Sequence, residues 1–401
     1  MNRQKVLVLS LVLFAAVSFA LGQTAPKAAA PRVTPIAFAA GAGGLAPNLA
    51  VRGEQMYLSW IAPAGEGYAL RFATRAAKGA WTAPRTIVQG DDWFVSPADY
   101  PSIFALPDGT LAANWMVNID PIIEAYSTNI ALSKDGGRTW SKPIVPHRDG
   151  TENQHGFLSM APAPGGGFEA VWLDGRKMEE SLEMSLMGTS ISADGKLGPE
   201  VTVDGRVCDC CQTSAVATPD GMVVAYRDRT EKEIRDISTV RFSNGRWLPP
   251  QPLSNDGWEI DGCPINGPSI KAAGSTLAVA WFTGANESYR VKMSFSVDGG
   301  TKFGTPIRID EGAPVGRVDV LVLGPNEALV SWIERAAKGA QLRARTVKTD
   351  GTLGPSMVVA EVSPTLSSGF PRIEKVGNEV VFAWTESGKT SRVRTASLAL
   401  K

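Results

Sequence analysis

The chain has 401 residues, and its 40 Lys and Arg are matched by 40 Asp and Glu, so the formal net charge is zero. A neutral chain without a basic cluster carries no electrostatic footprint for nucleic acid, which sets that class of partner aside. Its 41 glycines and 27 prolines imply many turns. One ordinary core does not organise the roughly 375 residues beyond the leader, but a series of repeated units does, each adding its own slice of core.

In chain order, Arg3 and Lys5 precede an apolar run from Val6 to Gly22, VLVLSLVLFAAVSFALG. Small residues stand where a signal peptidase cuts, either Ser18-Phe19-Ala20 or Ala20-Leu21-Gly22 ahead of Gln23. That is the pattern of a secretory leader over residues 1–22. The run is short for a membrane span, and no Cys follows it directly to take a lipid. Residues 23–32 read as a Pro/Ala linker and 33–401 as one domain. No later stretch is long and apolar enough to cross a bilayer, so the expectation is a secreted or periplasmic protein with no membrane span after cleavage.

Beyond the linker, seven short strands share one form: apolar residues, an aromatic, then a polar turn. They end at Trp60, Trp115, Trp172, Tyr226, Trp281, Trp332 and Trp384, in steps of 55, 57, 54, 55, 51 and 52 residues. A period of this length marks a repeat architecture. Six hairpin candidates lie between them. The clearest are Ser133-Lys134-Asp135-Gly136-Gly137-Arg138-Thr139-Trp140 and Ser296-Val297-Asp298-Gly299-Gly300-Thr301-Lys302-Phe303. Worn versions lie near Lys78, Asp194, Asn244 and Asp350. Asp-Gly and Asn-Gly supply the positive φ of a tight turn, and Ser and Asp side chains bond the turn amides.

The S-x-D-G-G-x-T-W hairpin resembles the Asp-box, or bacterial neuraminidase repeat, of sialidase-like propellers. The resemblance implies an all-β chain: a β-propeller of about seven four-stranded blades. The seventh unit, from Phe370 on, is one strand short, and a strand near Thr34–Ala39 is expected to complete it. The alternative is six blades, the usual number for sialidases, with a degenerate unit outside the ring. Asp boxes are structural and identify the fold better than the function.

Propellers bind ligands where their innermost strands begin, some 14 to 18 positions before each aromatic. In that phase lie Asp99 and Tyr100, His155, then Cys208, Cys210 and Cys211, then Cys263 and Asn266, then Arg317 and Asp319. All four cysteines and one of the two histidines thus fall in equivalent loops of consecutive blades. Four Cys in an exported protein most often mean two disulfides. Three thiols within four residues, with a fourth and His155 nearby, also suit a soft metal, copper or zinc. The stretch Tyr226–Ser238 alternates Arg and acid, with Arg227, Arg229 and Arg235 readable as an anion-recognition set or as ion pairs fixing loops.

A sialidase needs three Arg on a carboxylate, a Tyr nucleophile with its Glu, and an Asp acid/base. Here PNLAVRG stands where the first-blade R-I-P Arg belongs, the only Pro-Arg-Ile is at 371–373, and the last Tyr is Tyr289. The catalytic candidates are Asp99, Arg317 and Asp319, the two acids also being the pair for another type of hydrolase. The favoured reading is a soft-metal or ligand-binding module rather than a working glycosidase. Its partner is a small molecule, a glycan, a metal or a protein on the propeller face. The alternatives are an exo-sialidase-type glycoside hydrolase and a disulfide-stabilised interaction propeller. Intact mass measured on exported protein is expected to place the mature N-terminus near Gln23; retention of residues 1–20 would overturn the leader assignment.

Overall fold

A computed structural model of the protein describes residues 32–122 and 124–400. The leader and all but the last residue of the linker lie outside them. Among the described residues the strands form seven antiparallel sheets, one per repeat. Blade 1 shows the plan, with strands Leu45–Arg52, Gln55–Ala64, Gly67–Ala76 and Arg85–Gly90 running in order from the axis outward.

The second strand of each blade explains the sequence period. Its residues alternate between two neighbours, so both faces are buried and the strand reads as a near-continuous apolar run. In blade 5, Leu277, Val279 and Trp281 join a cluster with Val223 and Ala225 of blade 4. The intervening Ala278, Ala280 and Phe282 join one with Val320, Val330 and Trp332 of blade 6. Seven such clusters span the seven blade boundaries. Each of the seven period-marking aromatics faces the preceding blade.

The hairpin of blade 2 is held as its residue types require. Asp135 Oδ1 accepts from the amides of Arg138 (2.9 Å) and Thr139 (3.0 Å), and from the Ser133 hydroxyl (2.8 Å). Gly137 has φ +78°, and a Cβ there would stand 2.5 Å from the Phe72 ring of blade 1. The Trp140 ring packs edge-on against that same Phe72. In blade 5, Ser296, Asp298 and Gly300 repeat these bonds, and a Cβ at Gly300 would stand 2.7 Å from Val223 of blade 4.

Two blades depart from the plan at prolines, which cannot donate to a ladder. In blade 2 the fourth strand shrinks to a single bridge between Ile144 and Ile130, flanked by Pro143 and Pro146. In blade 4 the outer strand is split into Arg246–Trp247 and Gln251–Pro252 around Pro249 and Pro250.

The ring closes through the N-terminus. Val33–Ile36 pairs antiparallel with Arg392–Ala399, from Val33 opposite Leu398 to Ile36 opposite Thr395, as the outermost strand of blade 7. It is shorter than the expected 34–39; Phe38 has left the ladder and packs against Trp60 and Trp81 of blade 1. Pro35 is tolerated because the strand is an edge. The seventh unit is therefore a full blade inside the ring, and the six-bladed alternative does not apply. Deleting residues 33–40 exposes the edge of Arg392–Ala399 and uncovers Trp60. The melting temperature is expected to fall by more than about 5 °C, and an unchanged value would refute this closure.

Candidate functional site

The innermost strands of all seven blades line a central cavity of about 440 Å³. Asp99 and Asp319 are placed there by the loop before the inner strand of blade 2 and by the inner strand of blade 6. Asp99 is buried and its Oδ2 accepts from the Phe157 amide (2.9 Å). Burial raises its pKa to about 7, against the opposing bonds from Phe157 and the Tyr126 side chain. Gly156 permits this approach, since a Cβ there would lie on the Asp99 carboxylate and the Tyr126 ring. Asp319 accepts from Ser269 Oγ (2.7 Å) and the Ile373 amide (2.8 Å), and burial raises it to about 6 although Lys271 opposes.

Two cations share the cavity. Lys271 pairs with Glu374 at 2.5 Å. Arg372 lies over the Tyr100 ring at 4.4 Å, 3.9 Å from Asp319 Oδ1, and burial lowers its pKa to about 10. Sequence reasoning passed over Lys271, Arg372 and Glu374. They stand on inner strands rather than in the loops before them, and the Pro-Arg-Ile at 371–373 was the available signal.

The remaining arginine candidates are committed to the fold. Arg227 is buried, stacked over Trp258, and donates to the carbonyls of Asn266, Arg235 and Phe282. Arg229 pairs with Glu233, and Arg235 with Asp209 and Glu233. Arg317, at φ +54°, donates to Thr365 O and Ser368 Oγ and so ties blade 6 to the loop before blade 7. Asn266 braces it, its Oδ1 accepting from the Arg317 amide. These side chains hold loops; none of them lines the central cavity.

The cysteines gather between blades 3, 4 and 5. Cys208 follows the outer strand of blade 3, and its amide donates to Arg227 O. Cys210 is bonded to Cys263 across 53 residues, with Cα atoms 5.9 Å apart. Cys208 and Cys211 are free and buried, with sulfurs 2.9 Å apart, and Cys208 Sγ is 4.0 Å from Cys210 Sγ. Burial alone would push the Cys208 thiol up. The Cys211 hydrogen bond and the charges of Arg227 and Arg235 outweigh it and bring the pKa to about 7, while Cys211 is pushed well up by burial.

His155 does not join this group. Its ring stacks on His147 at 3.7 Å, and its Nε2 lies 3.1 Å from Asp149 Oδ1. Equivalent loop phase brought it to the correct face. The side chain, however, turns toward the loop arriving from blade 2, which carries His147 and Asp149. Both residues were missed because they lie outside the inner-loop phase; the signal was that the two histidines of the chain stand eight positions apart. Burial lowers the His147 pKa to about 4, so its ring is neutral at neutral pH.

The raised acids give the fold a pH signature. Asp99 titrates near 7 when folded and near 4 when unfolded, so the native state holds more protons across that window and stability falls as pH rises through it. Asp99→Asn keeps an acceptor for the Phe157 amide and removes the charge. It is expected to flatten the decline and to raise stability at pH 8 by no more than about 4 kcal/mol. Chemical denaturation at pH 4, 6 and 8 reads this, and parallel profiles for both proteins would refute it.

No protein-family model matches the chain, and no curated protein matches it. Solved structures do. The K499G mutant of the NanB sialidase from Streptococcus pneumoniae is similar at 11% identity and TM-score 0.48, over 91% of this chain and 70% of that one. The phage phi92 endosialidase is similar at 9% identity and TM-score 0.52, over 92% of this chain and 69% of that one. The polysaccharide lyase Uly1 is similar at 11% identity and TM-score 0.52, over 88% and 89%. At such identities the likeness is one of architecture, and the architecture is that of a sialidase-like β-propeller.

Proposed function

We propose that the protein is an exported soft-metal-binding propeller whose Cys208 and Cys211 are the buried donors for copper or zinc. The observation that carries this reading is the pair of free buried sulfurs 2.9 Å apart. At this separation the two sulfurs are in hydrogen-bond contact, so they already face one another and need only part by about an ångström to share a metal at ~2.3 Å. Cys208 is already biased toward the thiolate, the form that ligates. Cys210 lies next to them, and its bridge to the exposed Cys263 determines whether two or four sulfurs are available. His155 is no longer part of this donor set.

A second reading rests on the cavity. Its raised carboxyls Asp99 and Asp319, beside Lys271 and Arg372, suit a small polar or glycan ligand. The sialidase set remains incomplete in sequence, and turnover of an aryl sialoside by the purified protein is not expected.

Reduced full-length protein is expected to bind one Cu(I) or Zn(II) per chain through these thiols. Thiolate charge-transfer absorption should follow Cu(I) or a Co(II) probe, and Cys211→Ser should lose it while staying folded. If the cluster is purely structural, no metal binds. In either case Cys263→Ser frees Cys210 and lowers stability by roughly 2–5 kcal/mol. Absence of metal binding by the reduced protein would sink the metal reading and leave the bridge as a staple.

A further inference from the structure

We infer that His147, Asp149 and His155 form a second metal site, a nitrogen- and oxygen-donor centre for a divalent first-row cation such as zinc, clamping the loop from blade 2 onto blade 3. Each of the three offers one ligand atom, all within 4.8 Å of one another, and Asp149 Oδ1 lies 3.5 Å from His147 Nδ1 and 3.1 Å from His155 Nε2. Two imidazoles and a carboxylate are a familiar donor set for such ions.

The hydrogen bonding around the three residues leaves those atoms, and no others, turned inward. The distal nitrogen of each ring is occupied: His147 Nε2 by Ser127 Oγ at 2.8 Å, and His155 Nδ1 by the Asn153 carbonyl at 3.1 Å. A carbonyl only accepts, so His155 carries its proton on Nδ1, and in the neutral ring Nε2 presents a lone pair. Asp149 is arranged alike, with its Oδ2 accepting from the amide and hydroxyl of Thr151. Outer partners that fix tautomer and ring orientation are what a metal-ligating histidine requires.

His155 Nε2 and Asp149 Oδ1 are both buried and neither has a hydrogen-bond partner, although they lie 3.1 Å apart. With the His155 ring neutral, the two atoms present lone pairs to each other, and a cation between them would satisfy both. Asp174 Oδ2 approaches the same nitrogen to 3.7 Å. The local charges point the same way: Asp149, Asp174 and Glu200 are three carboxylates, met by the two guanidiniums of Arg176 and Arg148. The site is enclosed, with His155 fully buried and the other two side chains less than a tenth exposed. It is joined to the cavity through the chain itself, because Phe157, two residues past His155, donates its amide to Asp99.

This site is independent of the cysteine reading, and cobalt(II) separates the two. Full-length protein freed of metal with a chelator is titrated with Co(II) and followed by absorption and by melting temperature. A His₂Asp centre gives weak d–d bands without thiolate charge transfer in the near ultraviolet; the cysteine centre gives that charge transfer. The expectation is one Co(II) per chain with d–d bands that persist in the Cys208→Ser/Cys211→Ser variant and a raised melting temperature. Affinity should drop at least tenfold in Asp149→Asn and in His147→Gln, both near-isosteric. Circular dichroism checks that the variants fold; should one not fold, the other and the cysteine double variant still decide. Unchanged Co(II) affinity in the folded variants, or no d–d bands beyond those that accompany thiolate charge transfer, would overturn the site. Loss of the charge-transfer band alone bears only on the cysteines.

Discussion

Everything in this molecule depends on the double-sided burial of the second strand in each blade. A strand whose alternate residues feed two different clusters cannot be stable in a single sheet, because one of its faces would remain in water. Met56, Leu58 and Trp60 need Val376, Val381 and Ala383 of blade 7, just as Tyr57 and Ile61 need Ile103 and Trp115 of blade 2. The same requirement repeats around the ring and is met only when the last blade finds the first. Closure then falls to Val33–Ile36, which supplies the outer edge that blade 7 lacks in its own sequence.

Closing the ring brings seven inner strands together, and this is where the fold accepts polar groups. Asp99 and Asp319 are buried deeply enough that their carboxyls titrate well above the usual range. Each is nevertheless held by a backbone amide of the next blade in the ring: Phe157 of blade 3 for Asp99, Ile373 of blade 7 for Asp319. These acids therefore serve as spokes between neighbouring blades while their carboxyls stay well above the ordinary range. Buried polar groups in such roles are high-stakes: satisfied, they specify register, and unsatisfied, they destabilise. Arg317 and Arg227 do similar work farther out, each saturating carbonyls on an adjacent element. Their chemistry is spent on architecture.

The cysteines and histidines follow another logic, because they sit in loops and at a strand start where neighbouring blades meet. Cys210 and Cys263 become neighbours only because blades 4 and 5 are neighbours; 53 residues of chain separate them. His147 and His155 are stacked because the loop leaving the blade 2 hairpin must return to start blade 3. Two clusters of atoms of the kinds that can hold a metal thus arise on the face where inner strands begin, one of sulfur and one of nitrogen and oxygen.

The sequence by itself determined the propeller. The 51–57-residue step between aromatics, the Asp-Gly-Gly hairpins and the missing seventh-unit strand point to about seven blades closed by the N-terminus, since period and turn chemistry are local properties of a chain; the pairing of Val33–Ile36 with Arg392–Ala399 then decided between seven and six. Loop phase also placed the cysteines on one face. Only the tertiary structure decided how the side chains in those loops point. It turned His155 away from the cysteines toward His147 and Asp149, and it joined Cys210 to Cys263 while leaving Cys208 and Cys211 free. It also drew Arg227, Arg229, Arg235 and Arg317 into structural bonds. The reason is physical: strand period fixes where a backbone lies, but a side chain's partner is chosen by whichever group the neighbouring blade presents within hydrogen-bonding reach, and that neighbour is some 50 residues away in the chain.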